Sequence, residues 1–292
     1  MTSAPSRPIP EQSFDADAFD RFELAGWEDK AAGWHRYFER VSTQAVGALL
    51  RAAGIPADGS GSGRRLLDVA TGPGYAAAAA ARRGAVGVGL DIAAAQVRIA
   101  TENFPEASFD VGDAMALPYD DASFDAVVIN FGLQHFSSPA KALREAYRVL
   151  RPGGRVAFTV WAKPPLSAGF HLVQQAIEAH GDAGAPIPSG PAYYQFSEPA
   201  AASRVLTEAG FRQPRVTVVQ QTWRLEDAAE IVTAVAEGTV RAGALLRAQA
   251  PQALERIRRA VIEGAAEFRS GAIYEVPMPG VLAAATKLAA ER

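Results

Sequence analysis

A glycine-rich turn between a short apolar strand and a helix constrains the fold of this chain most. An apolar run carrying Asp68 predicts a strand, the motif Gly72-Pro73-Gly74 predicts a tight turn, and the alanines behind it predict a helix. A second apolar run ends at Asp91, about 20 residues beyond the turn. Glycine lets the backbone approach a ligand closely, and the start of a helix supplies free N–H groups. The segment therefore predicts a nucleoside-bearing cofactor at the carboxyl ends of parallel strands.

Beyond this turn, short runs rich in β-branched residues alternate with helical segments, which is typical of a parallel α/β sheet. Seven strands are predicted, at residues 65–69, 86–90, 107–111, 126–130, 155–161, 215–223 and 272–276. The predicted organisation is a flexible tail over 1–13, a helical cap over 14–56, an α/β core over 64–224, a helical lid over 225–270, and a final strand and helix over 271–292. The final helix is predicted over residues 281–290. The fold class is thus α/β, with a seven-stranded, mostly parallel sheet and a helical insertion before the last strand.

Composition excludes several classes of protein. A net charge of −3 argues against a nucleic-acid-coating protein, which would usually show a strongly basic face. The absence of cysteine excludes disulfides, thiolate metal sites and a cysteine nucleophile. No cluster of His, Asp and Glu has the spacing of metal ligands, so no metal is predicted. No apolar run approaches the length of a membrane span and the first residues lack the apolar segment of a secretory signal, so we expect a cytoplasmic protein without membrane partners.

Three further motifs follow the glycine turn in a fixed order. They are Val111-Gly112-Asp113-Ala114, Phe124-Asp125-Ala126-Val127-Val128 and Arg148-Val149-Leu150-Arg151-Pro152-Gly153-Gly154. Together with the glycine turn and Asp91, they resemble the class I S-adenosylmethionine-dependent methyltransferases, which have a Rossmann-like fold. The run INFGLQHFSSPAKALREAYRVLRPGG is most similar to the branch that includes the ubiquinone/menaquinone C-methyltransferases. A P-loop is excluded because Gly74 precedes Tyr75 rather than Lys, and no tyrosine has the Lys four residues on that a short-chain dehydrogenase needs.

The resemblance implies S-adenosylmethionine as the cofactor, S-adenosylhomocysteine as its product, and a role for each matching residue. The expected cofactor-binding residues are Asp68, Ala70, Gly72 and Gly74 at the methionine and ribose end, Asp91 and Gln96 at the ribose, Ile92, Asp113 and Ala114 at the adenine, and Asn130 and Phe131 at the methionine part.

One histidine is the leading candidate for a general base. His135 lies five residues beyond Asn130, on the loop after the fourth predicted strand, close to the expected position of the methyl group. It acts either as the base or as a structural loop residue. His35, on the cap, is the second candidate.

Aromatic residues supply the expected walls of the site. In the cap, Trp34, Tyr37 and Phe38 lie within one helical turn, where they either close over a sulfonium or pack between cap and sheet. The expected substrate-binding residues are Trp34, Tyr37, Trp161, Tyr193 and Tyr194. With apolar lid helices above them, these residues predict a partly hydrophobic pocket.

The sequence predicts methyl transfer to a carbon or oxygen atom of a small, partly apolar metabolite, as in secondary metabolism. Such a transfer is an in-line displacement in which the enzyme mainly supplies orientation and proximity. One alternative is a protein of the same fold that retains the cofactor and catalyses a cyclisation or pericyclic rearrangement. Another is a protein or RNA methyltransferase, although the acidic pI of about 5.9 disfavours an RNA substrate.

Overall fold

The computed structural model describes residues 14–289 and contains both helices and strands. The strands are β1 (Arg65–Val69), β2 (Val86–Asp91), β3 (Ser108–Val111), β4 (Phe124–Asn130), β5 (Leu150–Trp161), β6 (Arg212–Val219), β7 (Thr222–Leu225), β8 (Arg269–Ser270), β9 (Ile273–Pro277) and β10 (Gly280–Thr286). The α-helices are α1 (Ala16–Ser42), α2 (Val46–Ala52), α3 (Tyr75–Ala81), α4 (Ala94–Asn103), α5 (Pro139–Val149), α6 (Ala168–His180), α7 (Pro199–Glu208), α8 (Glu230–Gly238), α9 (Arg241–Arg247) and α10 (Pro251–Ala265).

A seven-stranded sheet with the order β3-β2-β1-β4-β5-β10-β6 forms the centre of the molecule. The first five strands are parallel, whereas β10 runs antiparallel to both of its neighbours. The order reverses direction between β1 and β4, so the carboxyl ends of these two strands border a crevice, the usual ligand position in open α/β sheets. The predicted α/β class and the seven-stranded, mostly parallel sheet are confirmed.

The central strands are buried on both faces, which explains their nearly continuous apolar sequences. In β1 and β4, Leu67 and Val127 belong to an apolar cluster that includes α5, whereas Leu66 and Val128 belong to another that includes α2 and α3. Successive residues of a strand point to opposite faces, so one short strand serves both layers. This packing fixes the strand ends from which the site residues project.

The N-terminal region that was predicted as a cap consists mainly of one long helix. Asp15 accepts a hydrogen bond from the amide of Ala18 at 2.9 Å and caps the start of α1. Near the other end of α1, the Phe38 ring stacks on Trp223 of β7 at 5.0 Å. The helix also contacts α4 and α8, so it lies between α4 of the core and the insertion after β7.

The C-terminal part of the sequence prediction needs correction. The helix predicted over residues 281–290 is wrong, because Gly280–Thr286 form β10 between β5 and β6. The strand predicted over 272–276 does not join the main sheet, since β9 pairs with β7 and β8 in a separate three-stranded sheet. The strand predicted over 215–223 is two strands, β6 and β7, one in each sheet.

The described residues include only some of the remaining predicted segments. Residues 225–270 contain α8, α9 and α10 together with the short strand β8. The tail predicted over residues 1–13 lies outside the described residues, as do the last three residues. Within residues 14–289, no helix is both long enough and apolar enough to span a membrane.

Candidate functional site

The turn after β1 has the backbone conformation that its glycines predict. Gly72 and Gly74 have φ angles of +54° and +92°, in the left-handed region that side chains other than glycine rarely adopt. A Cβ atom on Gly74 would lie 2.8 Å from the Phe109 ring, so the close packing of this turn also requires glycine. At Gly72, by contrast, an added Cβ would approach only the side-chain oxygen of Gln96, at 4.0 Å, so this face of the turn is open.

The carboxylate at the end of β2 holds the turn in place. Asp91 accepts a hydrogen bond from the Gly72 amide at 2.9 Å and another from the Ala93 amide at 3.0 Å. Burial raises the pKa of Asp91 to about 6, although both amides act in the opposite direction. Each carboxylate oxygen retains a lone pair, so Asp91 can still accept hydrogen bonds from a ligand.

Asp68, at the end of β1, is a second buried carboxyl group. Its Oδ2 atom accepts hydrogen bonds from the Thr71 hydroxyl at 2.7 Å and the Ala77 amide at 3.1 Å. Burial raises the pKa of Asp68 to about 7, and the nearby Asp91 adds to this increase. Its Oδ1 atom has no hydrogen-bond partner within the described structure.

These residues border a cleft at the carboxyl ends of β1, β2 and β4. Ten of the predicted cofactor-binding residues line it, namely Asp68, Ala70, Gly72, Asp91, Ile92, Gln96, Asp113, Ala114, Asn130 and Phe131. Gly74 does not line the cleft, because it is buried under the turn and packs against β3. Ser42, Trp27 and Glu23 of α1 also line it and were not predicted.

Several buried acceptors around this cleft lack partners within residues 14–289. They are Oδ1 of Asp68, Oε1 of Gln96 and Oγ of Ser42. A buried acceptor without a donor is costly, so these atoms fit a ligand that carries N–H or O–H groups. S-adenosylmethionine, with an ammonium group and two ribose hydroxyls, is such a ligand. No group of three metal-ligating side chains occurs in the described part of the chain.

The residues after β3 and β4 complete the cleft wall. Asp113 accepts a hydrogen bond from the Met115 amide at 2.7 Å. The side chain of Asn130 donates to the backbone oxygen of Ser42 at 3.3 Å and accepts from the Thr159 hydroxyl at 2.7 Å. The Asn130 amide thus connects β4 to the C-terminal end of α1, which fixes the position of Phe131 beside it.

A second cavity of about 310 Å³ adjoins the cleft. It lies under the insertion and is lined by His135, Phe170, Val173, Gln174, Ile177, Glu178, Ala183, Tyr193, Tyr194, Val235, Thr239, Val240, Arg241, Ala242 and Leu245. Among the described residues, His135 alone lines both the cleft and this cavity. A molecule in each space would therefore meet beside the imidazole ring.

The predicted aromatic residues have different positions in this arrangement. Tyr193 and Tyr194 line the second cavity, and Trp34 lines the cleft while stacking on Phe38 at 4.7 Å. Two expectations are corrected, because Tyr37 and Trp161 line neither space. The Tyr37 hydroxyl donates to Glu237 at 2.9 Å on the outer side of α1. The Trp161 side chain is only 1% exposed and stacks behind Phe131 at a centroid distance of 3.9 Å.

The two candidate histidines also differ. His35 lines neither space, and its Nδ1 atom is hydrogen-bonded to the Tyr75 hydroxyl at 2.5 Å. Nδ1 of His135 lies within hydrogen-bond distance of Oε2 of Glu23, at 3.0 Å. Its ring also lies edge-to-face with Trp27 at 5.0 Å and with Tyr193 at 5.6 Å.

Sequence reasoning missed Glu23 and Arg241. Glu23 is only 4% exposed, and its carboxylate accepts from His135, Trp27 and Arg241. The residues next to Glu23 in the sequence could not indicate its burial, because two of its donors come from segments more than 100 residues away. A charged residue on a helix is usually solvated, so burial of this one becomes visible only in three dimensions.

Comparisons with known proteins agree with this geometry. Residues 67–158 match the family described as "Methyltransferase domain". The demethylmenaquinone methyltransferase of Beutenbergia cavernae is 35% identical over 169 residues, which are 56% of this chain and 69% of that protein. The demethylmenaquinone methyltransferase of Thermus thermophilus is 43% identical over 116 residues, which are 38% of this chain and 52% of that protein, about half its length.

The fold is shared with solved methyltransferase structures. A putative methyltransferase from Bacillus halodurans superposes with a TM-score of 0.52 at 19% identity, covering 84% of this chain and 99% of that one. At this identity the likeness concerns the fold, while the family assignment depends on the sequence matches. The chain therefore belongs to the class I S-adenosylmethionine-dependent methyltransferases that act on small molecules, as its motifs predicted.

Proposed function

We propose that the cleft binds S-adenosylmethionine and that the second cavity binds the methyl acceptor. The observation that carries the proposal is the junction of the two spaces at His135. When bound, S-adenosylmethionine supplies an electrophilic methyl group on a sulfonium sulfur, which keeps the electron pair of the broken bond. The protein then has to hold the acceptor atom in line with that methyl group and exclude water.

The assignment of cofactor contacts follows the chemistry of the cleft residues. Asp68 and Gln96 offer buried acceptors to an ammonium or hydroxyl group, and Asp91 offers its remaining lone pairs to the ribose. Ile92 and Ala114 offer apolar surface on the adenine side, with Asp113 as a polar neighbour. The arrangement supports the roles predicted for these residues.

The second cavity suits an apolar ring system. Most of its lining is aliphatic or aromatic, with Phe170 and Tyr193 on one side and Val235 and Leu245 on the helices of the insertion. Burial raises the pKa of Tyr193, so its hydroxyl stays neutral and acts as a hydrogen-bond donor or acceptor. The volume is within the range of pockets for drug-sized ligands. The relatives named as demethylmenaquinone methyltransferases support a quinol-like ring as the acceptor.

We infer that His135 is the general base for this acceptor. Its Nδ1 atom donates to Glu23, so the lone pair of the neutral ring lies on Nε2, which has no hydrogen-bond partner among residues 14–289. A ring hydroxyl or an activated ring carbon loses its proton as the methyl group is gained, and Nε2 is placed to accept that proton. Residues 14–56 act as a cap over the cleft in this proposal, and residues 225–270 form the roof of the acceptor cavity.

The test combines calorimetry with mass spectrometry of the product. We expect S-adenosylhomocysteine to bind the free protein, and a naphthoquinol, a naphthol or an alkylated phenol to gain one methylene unit in mass. Lack of S-adenosylhomocysteine binding would contradict the cofactor assignment. Turnover with unchanged acceptor mass would favour the cyclisation alternative, and a mass gain on protein or RNA alone would refute a small-molecule acceptor.

A further inference from the structure

Glu23 connects three parts of the molecule that meet at the junction of the two cavities. Oε2 accepts from Trp27 at 3.1 Å within α1 and from His135 at 3.0 Å on the loop after β4, and Oε1 accepts from Arg241 at 3.1 Å at the start of α9. The carboxylate is almost completely removed from water. A buried carboxylate with three donors is strongly fixed in orientation, so it also fixes the groups that donate to it.

We propose that Glu23 is a positioning residue for methyl transfer, which holds the His135 imidazole with Nε2 unprotonated and which does so only while α1 lies over the cleft. This inference rests on the proposed role of His135 as the general base. It adds a residue that acts on the transfer through His135, and it makes completion of the base depend on the position of the cap.

The hydrogen bond to Glu23 determines which nitrogen of His135 carries the proton. A carboxylate can only accept, so the shared hydrogen atom belongs to Nδ1 and the lone pair of the neutral ring belongs to Nε2. During transfer, the acceptor atom forms its bond to the methyl carbon and gives its proton to Nε2. The ring then becomes an imidazolium ion, and the carboxylate beside Nδ1 stabilises that positive charge.

Two other charged or titratable groups lie near His135, and neither accepts a hydrogen bond from its Nδ1 atom. Arg241 of α9 is held by Oε1 of Glu23 and by the backbone oxygen of Pro191, to which it donates at 3.0 Å. Tyr193 of the loop before α7 lies edge-to-face with the imidazole ring. The pairing with Arg241 balances the buried charge of Glu23 before catalysis, which reduces the cost of keeping a carboxylate there.

A second contact of α1 links the same helix to the cofactor side. The two carboxylate oxygens of Glu28 accept from the amides of Ala94 at 2.6 Å and Ala95 at 3.0 Å, at the start of α4. These amides follow Asp91 closely in the chain, so the part of α1 that supplies Glu23 is fixed against the expected ribose site. The position of α1 therefore determines both how the cleft is covered and how the His135 ring is oriented.

The first test requires no acceptor. We use nitrogen NMR of the protein labelled with 15N-histidine and saturated with S-adenosylhomocysteine, with the His135→Asn variant to identify the ring signals. In the unaltered protein, the neutral His135 ring should be protonated at Nδ1. In Glu23→Gln the amide can donate to Nδ1, so the proton should move to Nε2. A Nε2-protonated ring in the unaltered protein would overturn the proposal.

The second test is kinetic and uses the acceptor that gains mass in the assay above. We expect His135→Asn to lower kcat about 100-fold or more. Glu23→Gln should lower kcat at least about tenfold, with the Kd for S-adenosylhomocysteine changed less than about twofold. The double variant should be no slower than His135→Asn alone, because Glu23 acts through His135. The more conservative Glu23→Asp should recover part of kcat.

Tyr37→Phe is the matched control. It removes another hydrogen bond of α1, to Glu237, but touches neither cavity, so it should leave kcat and the NMR signals unchanged. Equal losses of kcat in this variant and in Glu23→Gln would show a merely structural effect and overturn the proposal. Additive losses in the double variant would also overturn it. Full activity of His135→Asn would refute the proposed base itself, whereas loss in His135→Asn with full activity in Glu23→Gln would refute only the role of Glu23.

Discussion

Acidification should weaken cofactor binding through the two buried carboxyl groups at the ends of β1 and β2. Burial raises the pKa of Asp68 to about 7 and that of Asp91 to about 6 in the protein without ligand. The unpartnered Oδ1 atom of Asp68 suits the ammonium group of the ligand, and this contact requires the ionised carboxylate. Below about pH 7, binding therefore has to remove a proton from Asp68, which costs free energy.

The sign and size of the effect follow from the raised pKa of Asp68. The carboxylate is present above about pH 7, so affinity is fully expressed there and falls up to tenfold for each pH unit below it. Between about pH 8 and about pH 5.5, the Kd for S-adenosylhomocysteine should rise about thirtyfold, or roughly 2 kcal/mol, if the complex keeps Asp68 ionised. Asp91 contributes less to the change of Kd with pH, because ribose hydroxyls can also donate to the carbonyl oxygen of a protonated carboxyl group.

Isothermal calorimetry measures this linkage directly. At about pH 6, binding in buffers of different ionisation enthalpy should reveal release of close to one proton per complex. Asp68→Asn should bind more weakly at high pH but lose most of the pH dependence, while Asp91→Asn should retain the part that belongs to Asp68. An affinity that is flat across this range, or a slope that persists in Asp68→Asn, would refute the assignment of Asp68 to the ligand's ammonium group.

Four further variants test the site and its support. Asp91→Ala should raise the Kd for S-adenosylhomocysteine at least about tenfold, because hydrogen bonds to a charged group contribute about 1.5–3 kcal/mol each; unchanged calorimetric affinity would contradict the ribose assignment. Gly89→Ala should lower the free energy of unfolding by about 2 kcal/mol or more in denaturant titration, since the new Cβ would lie 2.5 Å from the Phe109 ring. Gly47→Ala is the control, because its Cβ would meet only side-chain atoms, at 3.7 Å, within a helix, and it should raise the free energy of unfolding slightly. Equal losses of stability in Gly89→Ala and Gly47→Ala would refute the packing argument. Ala242→Phe should raise the KM for the acceptor several-fold and leave the Kd for S-adenosylhomocysteine unchanged, whereas a change in that Kd alone would exclude the second cavity as the acceptor site.

The parallel half of the fold was predictable because local signals and the fold agree there. β1, β2 and β4 are short apolar runs followed by turn residues, and they are largely buried as that pattern predicts. In β5 this holds for residues 156–161, whereas the strand begins earlier than predicted, with exposed residues at 151–153. The same agreement explains why ten of the predicted cofactor-binding residues line one cleft: most of them follow strand ends, and strand ends meet at one edge of a parallel sheet.

The C-terminal strand was not predictable in this way. Residues 280–286 are rich in alanine, which favours a helix when the segment stands alone. In the fold, β10 forms ladders with β5 on one side and with β6 on the other, and Ala283 and Ala285 are buried in the core. Small side chains suit a strand packed on both faces, but that advantage exists only after its neighbours have formed.

Helix α1 likewise contains one part that could be predicted from the sequence and one part that could not. Its aromatic half was visible in the sequence, because Phe38 and its neighbours form an apolar group that has to be buried against another element. Its polar half was not visible, because Glu23 and Glu28 look like solvated helix residues until His135, Arg241 and the start of α4 are brought to them. The C-terminal half of α1 is held against the insertion by the burial of apolar surface, which does not depend on a specific orientation of the groups. The N-terminal half combines the fully buried Phe19 ring with the hydrogen bonds of Glu23 and Glu28, each worth about 0.5–3 kcal/mol net. The hydrogen bonds of α1 that the sequence could not indicate therefore lie beside the cleft through which a cofactor has to enter and leave, and they join the helix to His135 and to the start of α4.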